Sequence, residues 1–501
     1  MKKLMTLCIV LTAVAFLAAP AFAEVQNVKV SGDIDSKMIY RADYDFLADD
    51  TGEGTSVKDN DVWFMTTTRV RIDADLTDNV STTVRVVNER DWDEEYADAI
   101  DSGNVSDGAR TDIDLDLAYV TLKECFYSPL TVTIGRQNLL FGNALVVGDP
   151  TTNDSEGVAR LAADDLSTIK AFDAIRATLD YSPIVVDLIY SKIDAQVQLV
   201  ATTAGTAQPR DDMDLWGVNV AYDFDNEYNA AVEGYFFSRR DRRGVINTTE
   251  VGGADVCDVF GVNGNLAPVD GLLLSGEVAI QRGDYLDIQS TTPDRIIDRD
   301  AWALDLALAY DGLSDSVSFL PGLSLRTAYA YRSGQTSDGA TTDDDFSTTV
   351  TEVNAWDPMF EDQTHGMIAN RIFDGLNDGV DSNGRTICVG ASAEPIEDLT
   401  VSVDYYNFRL AEAWYSTNAV GASNARTLNG GSSAAYYVKD DKDLGDEVDI
   451  VLDYAYTEDV TMSLATGWFI PGAAFDNSLD SATPTNNDTA TEVIASVAVA
   501  F

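Results

Sequence analysis

The feature that most limits how this chain can fold is its hydrophobic period. Beyond residue 23 no segment offers 18 uninterrupted apolar residues, so helical spanning of a bilayer is excluded there. What recurs is alternation with period two, in runs of about ten residues, as in strands with one face in oil and the other in water. Val28, Val30, Ile34, Met38 and Tyr40 share one parity, with Ser31, Asp33, Asp35 and Lys37 on the other. Trp302, Leu304, Leu306, Leu308 and Tyr310 alternate with Ala303, Asp305, Ala307 and Ala309. Val448, Ile450, Leu452, Tyr454 and Tyr456 alternate with Glu447, Asp449 and Asp453, and the chain ends in the same rhythm at Val497, Val499 and Phe501.

Such runs fall near 28–41, 62–75, 80–90, 113–122, 130–136, 172–181, 184–193, 215–224 and 228–239. They continue near 255–263, 270–282, 302–311, 323–332, 386–393, 399–409, 446–457, 460–469 and 491–501. That makes about eighteen strands, or sixteen if the weakest runs, 130–136, 255–263 and 386–393, drop out; closed bacterial barrels of this kind have even numbers. The connections alternate as well. Thr77–Asn79, Ser182-Pro183, Asp225–Glu227 and Glu458-Asp459 are short, whereas 42–61, 91–112, 137–171, 194–214, 333–385, 410–445 and 470–490 are long. Tyr181, Tyr222, Phe224 and Tyr228 flank short turns, and Tyr40, Tyr44, Trp63 and Phe64 lie beside the first long loop, as interfacial girdles would. The expected fold is all-β: a transmembrane antiparallel β-barrel with short periplasmic turns and long extracellular loops, too wide for side chains to fill.

The barrel is expected to be a single domain over 24–501. Residues 1–23 read as a cleaved signal peptide, with basic Lys2 and Lys3, an apolar stretch from Leu4 to Ala18, and the small-x-small site Ala21-Phe22-Ala23. The chain carries 33 Lys+Arg against 84 Asp+Glu, a net charge of −51, and losing Lys2 and Lys3 takes it to −53 (31 against 84). That charge excludes a nucleic-acid surface and docking on an anionic leaflet. With 45% hydrophobic residues the chain still has enough apolar surface to fold. After Cys8 leaves with the leader, Cys125, Cys257 and Cys388 fit isolated apolar fillers better than a metal or redox motif, and nothing selects a disulfide pair.

Parity assigns the pore wall. Arg69, Arg71, Arg85, Arg136, Arg176, Arg326 and Arg332 are the candidate basic lining. Asp114, Asp116, Asp187, Glu233, Glu277, Asp305, Asp449 and Asp453 are the candidate acidic lining, with Asp33, Asp35, Asp404 and Glu447 on the same face. An arginine facing mid-membrane lipid would cost about 2–4 kcal/mol, which forces such residues inward. Two arrangements fit: opposed basic and acidic segments with a field across the lumen, or pairs across strands that hold the barrel's shape. The acidic excess predicts cation preference. Loop 137–171, opening after Arg136 and Gln137, is the candidate constriction, unless it lies as an extracellular flap; loops 333–385 and 410–445 are further contributors.

No cofactor motif is present, and no P-loop, GxSxG or HExxH stretch occurs. Asp343, Asp344, Asp345, Asp374, Asp378 and Asp381 fit a solvated acidic surface better than a Ca²⁺ site, because Leu376 and Arg385 break the EF-hand pattern. His365 is the only histidine and suits local hydrogen bonding better than catalysis. The expectation is a non-enzymatic outer-membrane channel for polar or charged solutes, saccharides among them. The alternatives are a polysaccharide export duct, a surface adhesin barrel and a barrel hydrolase.

Four stretches together resemble the alginate export family of outer-membrane barrels. They are Ile134-Gly135-Arg136-Gln137-Asn138-Leu139-Leu140-Phe141-Gly142 with Val147-Gly148; Ala171-Phe172-Asp173-Ala174-Ile175-Arg176; Trp356-Asp357-Pro358-Met359-Phe360 with Thr364-His365-Gly366; and Asp443-Leu444-Gly445-Asp446-Glu447-Val448-Asp449 with Trp468-Phe469-Ile470-Pro471-Gly472. The C-terminal Phe501 resembles the signal read by the barrel-insertion machinery. The resemblance implies eighteen strands and a monomer in outer-membrane lipid. It does not carry over the substrate, because the family's alginate exporter has a cationic passage and this chain is strongly acidic.

Overall fold

The structure, a computed structural model, describes residues 27–44, 46, 60–92, 113–150, 163–195, 212–242, 254–287, 295–313, 317, 320–335, 340–342, 345–346, 351–374, 381–413, 425–427, 435–437, 441–475 and 488–501. The expected leader lies outside them. Eighteen strands make one barrel. The first nine are β1 (Asn27–Ala42), β2 (Asp61–Thr77), β3 (Val80–Asp91), β4 (Asp114–Leu122), β5 (Leu130–Gln137), β6 (Phe172–Asp180), β7 (Ile184–Ala195), β8 (Asp212–Asp223) and β9 (Ala231–Asp241). The rest are β10 (Asp255–Val269), β11 (Leu272–Asp287), β12 (Arg295–Tyr310), β13 (Ser324–Arg332), β14 (Gly384–Ile396), β15 (Leu399–Leu410), β16 (Asp443–Thr457), β17 (Val460–Pro471) and β18 (Ala490–Ala500).

Each strand pairs antiparallel with its neighbours in sequence, and β18 returns to β1, from Ala500 opposite Asp33 to Thr491 opposite Ala42. Gly32 and Phe501 complete the seam by exchanging backbone hydrogen bonds of 2.8 and 2.9 Å. Closure leaves no sheet edge, which is what lets a strand survive in hydrocarbon. All three weak runs are strands of this sheet, so the count is eighteen and not sixteen.

Strands β10 to β12 outrun the alternating pattern at their long-loop ends. There Arg282 and Asp300 pair at 2.5 Å on the exposed parity, so that face is no longer apolar and the period fades although the hydrogen bonding continues. At the opposite end Asp78-Asn79, Asp270-Gly271, Glu397-Asp398 and Glu458-Asp459 are the whole connection between strands, and Asn27 and Phe501 both lie there.

The outward parity carries exposed apolar side chains, among them Ile34, Leu188, Trp302, Leu306, Val403 and Leu464. Tyr181, Tyr222, Phe224 and Tyr228 are exposed beside the short turns, as expected of a girdle. Tyr44 and Trp63 correct that expectation: both lie against the inward Arg41 guanidinium, at 5.4 and 5.9 Å from their ring centres, because Arg41 is buried and takes the nearest aromatic faces.

The apolar core sits inside the barrel. Leu139, Phe141 and Leu145, beyond the end of β5, pack on inward Leu215, Phe237 and Val259 of the wall. A short helix, α1 (Met367–Asp374), packs Ile368, Ile372 and Phe373 against Phe408 and Phe469. Two long connections therefore turn into the lumen.

Candidate functional site in the barrel lumen

Arginines on the inner wall meet carboxylates directly. Arg69 holds Asp33 at 2.9 Å, Arg71 holds Asp73 at 2.8 Å, and Arg85 pairs with Asp116, which sits in a bulge of β4. Arg176 takes Asp187 through two hydrogen bonds of 2.7 and 2.9 Å, and Arg332 takes Asp305 at 2.6 and 3.1 Å. Arg326 on β13 reaches Asp404 on β15 across Gly390, at whose position a Cβ would stand 2.0 Å from the Asp404 carboxylate. Only glycine leaves that path clear. Of the two arrangements that the sequence left open, these arginines take the local pairs, since a charge left alone at a partly dry wall costs several kcal/mol. Asp114 keeps its inward register opposite Val87.

Arg136 is a correction. It lies opposite Ala118 and shares parity with the exposed Ile134, and it pairs at 3.3 Å with Asp173, whose side chain is 64% exposed. The φ of +122° at Gly135 marks the distorted end of β5, and Gln137 rather than Arg136 turns inward there.

Of the remaining acids, Asp35 pairs with Lys37, and the others hold backbone or neutral polar groups rather than cations. Glu233 accepts the Gly142 N–H at 3.2 Å, and Glu277 accepts the Asn143 N–H at 2.7 Å, the Tyr235 hydroxyl at 2.6 Å and the Asn263 amide at 3.0 Å. Gly142 makes this seat possible: its φ is +59°, and a Cβ would lie 2.6–2.9 Å from the Glu277 carboxylate. Glu447 receives the Ile368 and Ala369 N–H groups at 2.7 and 2.8 Å and Asp449 the Met367 N–H at 3.1 Å, so the first turn of α1 is capped by wall carboxylates. Asp453 accepts from Ser463 at 2.5 Å. Among the described residues these five carboxylates, Glu233, Glu277, Glu447, Asp449 and Asp453, meet no basic side chain.

A second anchor was not legible in the sequence. Asp357 lies between two wall arginines, with Arg239 at 2.5 and 2.8 Å and Arg299 at 3.1 Å. Burial alone raises the Asp357 carboxyl, but Arg239 and then Arg299 outweigh it and hold it well below the usual carboxylate range. Gln281 binds both backbone groups of Asp357, donating to its carbonyl at 2.6 Å and accepting from its N–H at 2.9 Å. The two inward segments also join each other: Gly148 donates to the Phe360 carbonyl at 2.6 Å and Phe360 to that of Val146 at 3.2 Å. The far end of the 137–171 connection turns in too, with Arg41 on Asp165 at 2.7 Å and Glu89 accepting from Ser167 and Thr168 at 2.8 Å.

A sequence profile described as alginate export matches residues 37–487. The chain belongs to the alginate export family. No curated protein matches it in sequence. Among solved structures, Acinetobacter baumannii OccAB1 is similar over 97% of this chain and 99% of its own, at 11% identity and a TM-score of 0.51. Pseudomonas aeruginosa OccK2 (OpdF) is similar over 95% and 98%, at 11% identity and a TM-score of 0.49. The likeness to OccAB1 speaks to the fold, a bacterial outer-membrane barrel, and the family makes this member an outer-membrane channel in outer-membrane lipid.

Two of the four family-like motifs enter the lumen, and the other two lie on wall strands. The Asn138–Gly148 stretch and the Trp356–Phe360 stretch supply the two joined segments, and the Asp443–Asp449 stretch supplies the carboxylates under α1. His365 sits beside the Arg332–Asp305 pair. Burial, then Arg332, brings its imidazole down to about 4, so it is neutral at pH 7. Cys125, Cys257 and Cys388 are free thiols, the last two buried. Of the loop acids weighed for Ca²⁺, only Asp381 has a described side chain, and no cluster that would hold a metal occurs among the described residues.

Proposed function

We propose that this channel passes small polar or charged solutes, saccharides among them, and is not an open duct for a polymer. The observation that carries this is the pair of inward segments, joined to each other through Gly148 and Phe360 and bonded to Glu233, Glu277, Arg239 and Arg299 of the wall. A polymer would have to thread past a fixed obstruction; a small solute needs only the space beside it. The five wall carboxylates without a basic partner support cation preference. The channel acts as a non-enzymatic monomer, with Phe501 presented to the insertion machinery and the mature chain starting at Glu24.

Liposomes holding the purified protein and swollen in isotonic sugar test the reading. Swelling should be rapid in a monosaccharide or disaccharide and should fall steeply for oligosaccharides of six or more units. Uptake that is indifferent to chain length would favour the export duct. Hydrolysis of lipid or sugar in the same liposomes, abolished by His365→Ala, would reopen the hydrolase reading.

A further inference from the structure

Around most of the inner wall the inward segments press on large side chains, such as Leu215, Tyr235 and Phe237. One sector differs. Ser275, Ala307, Ala328 and Cys388 stand opposite one another in consecutive register on β11, β12, β13 and β14, and all are small. The next row toward the long loops adds Ala330 and Thr386 beside Asp305. Facing these rows across a gap of 160 Å³ are Asn143 of the first inward segment and Gln363 and His365 of the second. The gap has room for about five waters at about 30 Å³ each.

The groups on its roof are unequal. Gln363 is fully engaged, accepting from Arg332 at 2.5 Å and donating to the Asn143 carbonyl at 3.0 Å and to Asp305 at 2.9 Å. The Nε2 atom of His365 is shielded from solvent and has no hydrogen-bond partner. Below the small-residue row, toward the short turns, lies the row of Ala309, Arg326, Gly390 and Asp404, where Arg326 keeps 39% of its side-chain surface exposed. The gap therefore opens onto a wet part of the lumen.

We propose that solutes pass the obstruction along this sector, between the Ser275–Ala307–Ala328–Cys388 row and the Asn143, Gln363 and His365 roof. This rests on the channel reading and supplies its route. Here four neighbouring strands give up side-chain volume at one level, against a roof whose Asn143 side chain is exposed.

The test uses single cysteines in a Cys125→Ser, Cys257→Ala, Cys388→Ser background, each treated with a cationic methanethiosulfonate during planar-bilayer recording. Ala307→Cys and Ala328→Cys should lose at least half of their single-channel current on labelling, while the background protein and Ala279→Cys, whose position is buried beneath the first segment, should be unaffected. Ala328→Trp should lower the current without any reagent, and His365→Ala should raise it. Current that persists in cysteine variants shown by mass to be labelled overturns the route, as does a thiol that stays unmodified while the pore conducts. A parent protein that inserts but forms no pore overturns the channel reading and the route with it. A conducting pore indifferent to labelling overturns the route alone.

Discussion

Replacing Asp357 by Asn removes a charge at constant volume from the tightest anchor between the inward segments and the wall. The Arg239 and Arg299 side chains are 13% and 4% exposed, so both guanidiniums would lose a partner that water replaces poorly. Breaking a buried pair costs about 3–5 kcal/mol, much of it the penalty of the charge left behind. Asp255 lies 3.2 Å from Arg239 and 2.8 Å from Arg299 and absorbs part of that penalty, which points to the lower end, about 3 kcal/mol. At 1.4 kcal/mol per tenfold, the ratio of seated to unseated loop should fall by a factor of about 150. The remaining bonds, Gln281 to the Asp357 backbone and Gly148 to Phe360, do not involve the lost charge, so the barrel itself should persist. Single-channel recording should then show a second, larger conductance level, or rapid excursions to it, in protein that still migrates as a folded barrel before heating. A folded Asp357→Asn variant whose conductance histogram matches that of the parent would refute the anchoring argument.

Leu306→Arg places a cation on the lipid face and should destabilise the inserted barrel by about 2–4 kcal/mol, read as a lower urea midpoint in detergent or lipid; an unchanged midpoint would contradict the outward assignment. Gly142→Val cannot adopt the φ of +59° easily and would strike Glu277, so it should unseat the first segment and raise conductance without unfolding the barrel. His365 is a base whose folded value of about 4 lies below its ordinary 6.5, so the unfolded chain binds its proton first and the stability it contributes is lost as pH falls from about 6.5 to about 4. Glu361, raised by burial and then by Asp381, acts with the opposite sign, gaining stability on acidification. Thermal stability of the parent should therefore drop more over that window than that of His365→Gln, and equal drops would refute the assignment.

Strand positions were legible because oil and water impose period two on every segment they both touch. Where both faces are wet, as near Arg282 and Asp300, the period fades and the sequence understates strand length. Inward arginines were legible for the same reason, but their partners were not, since Arg326 meets Asp404 across an intervening strand. Arg136 was misplaced because charge alone argues for an inward position, whereas it keeps the outward parity of Ile134 and pairs with exposed Asp173 at the strand end. The inward course of the 137–171 and 333–385 connections left only an ambiguous mark, a long loop with glycines. The seats at Glu277, Asp357 and Glu447 join residues 78 to 134 positions apart, or two arginines to one loop aspartate, and no local pattern encodes such meetings.

The reversal potential of the purified mature chain in a planar bilayer, under a tenfold KCl gradient, tests the central claim most directly. A water-filled cylinder lined by an excess of carboxylates should give discrete ohmic steps and a potential of the sign set by K⁺. Insertion without steps, or a potential of the sign set by Cl⁻, would contradict it.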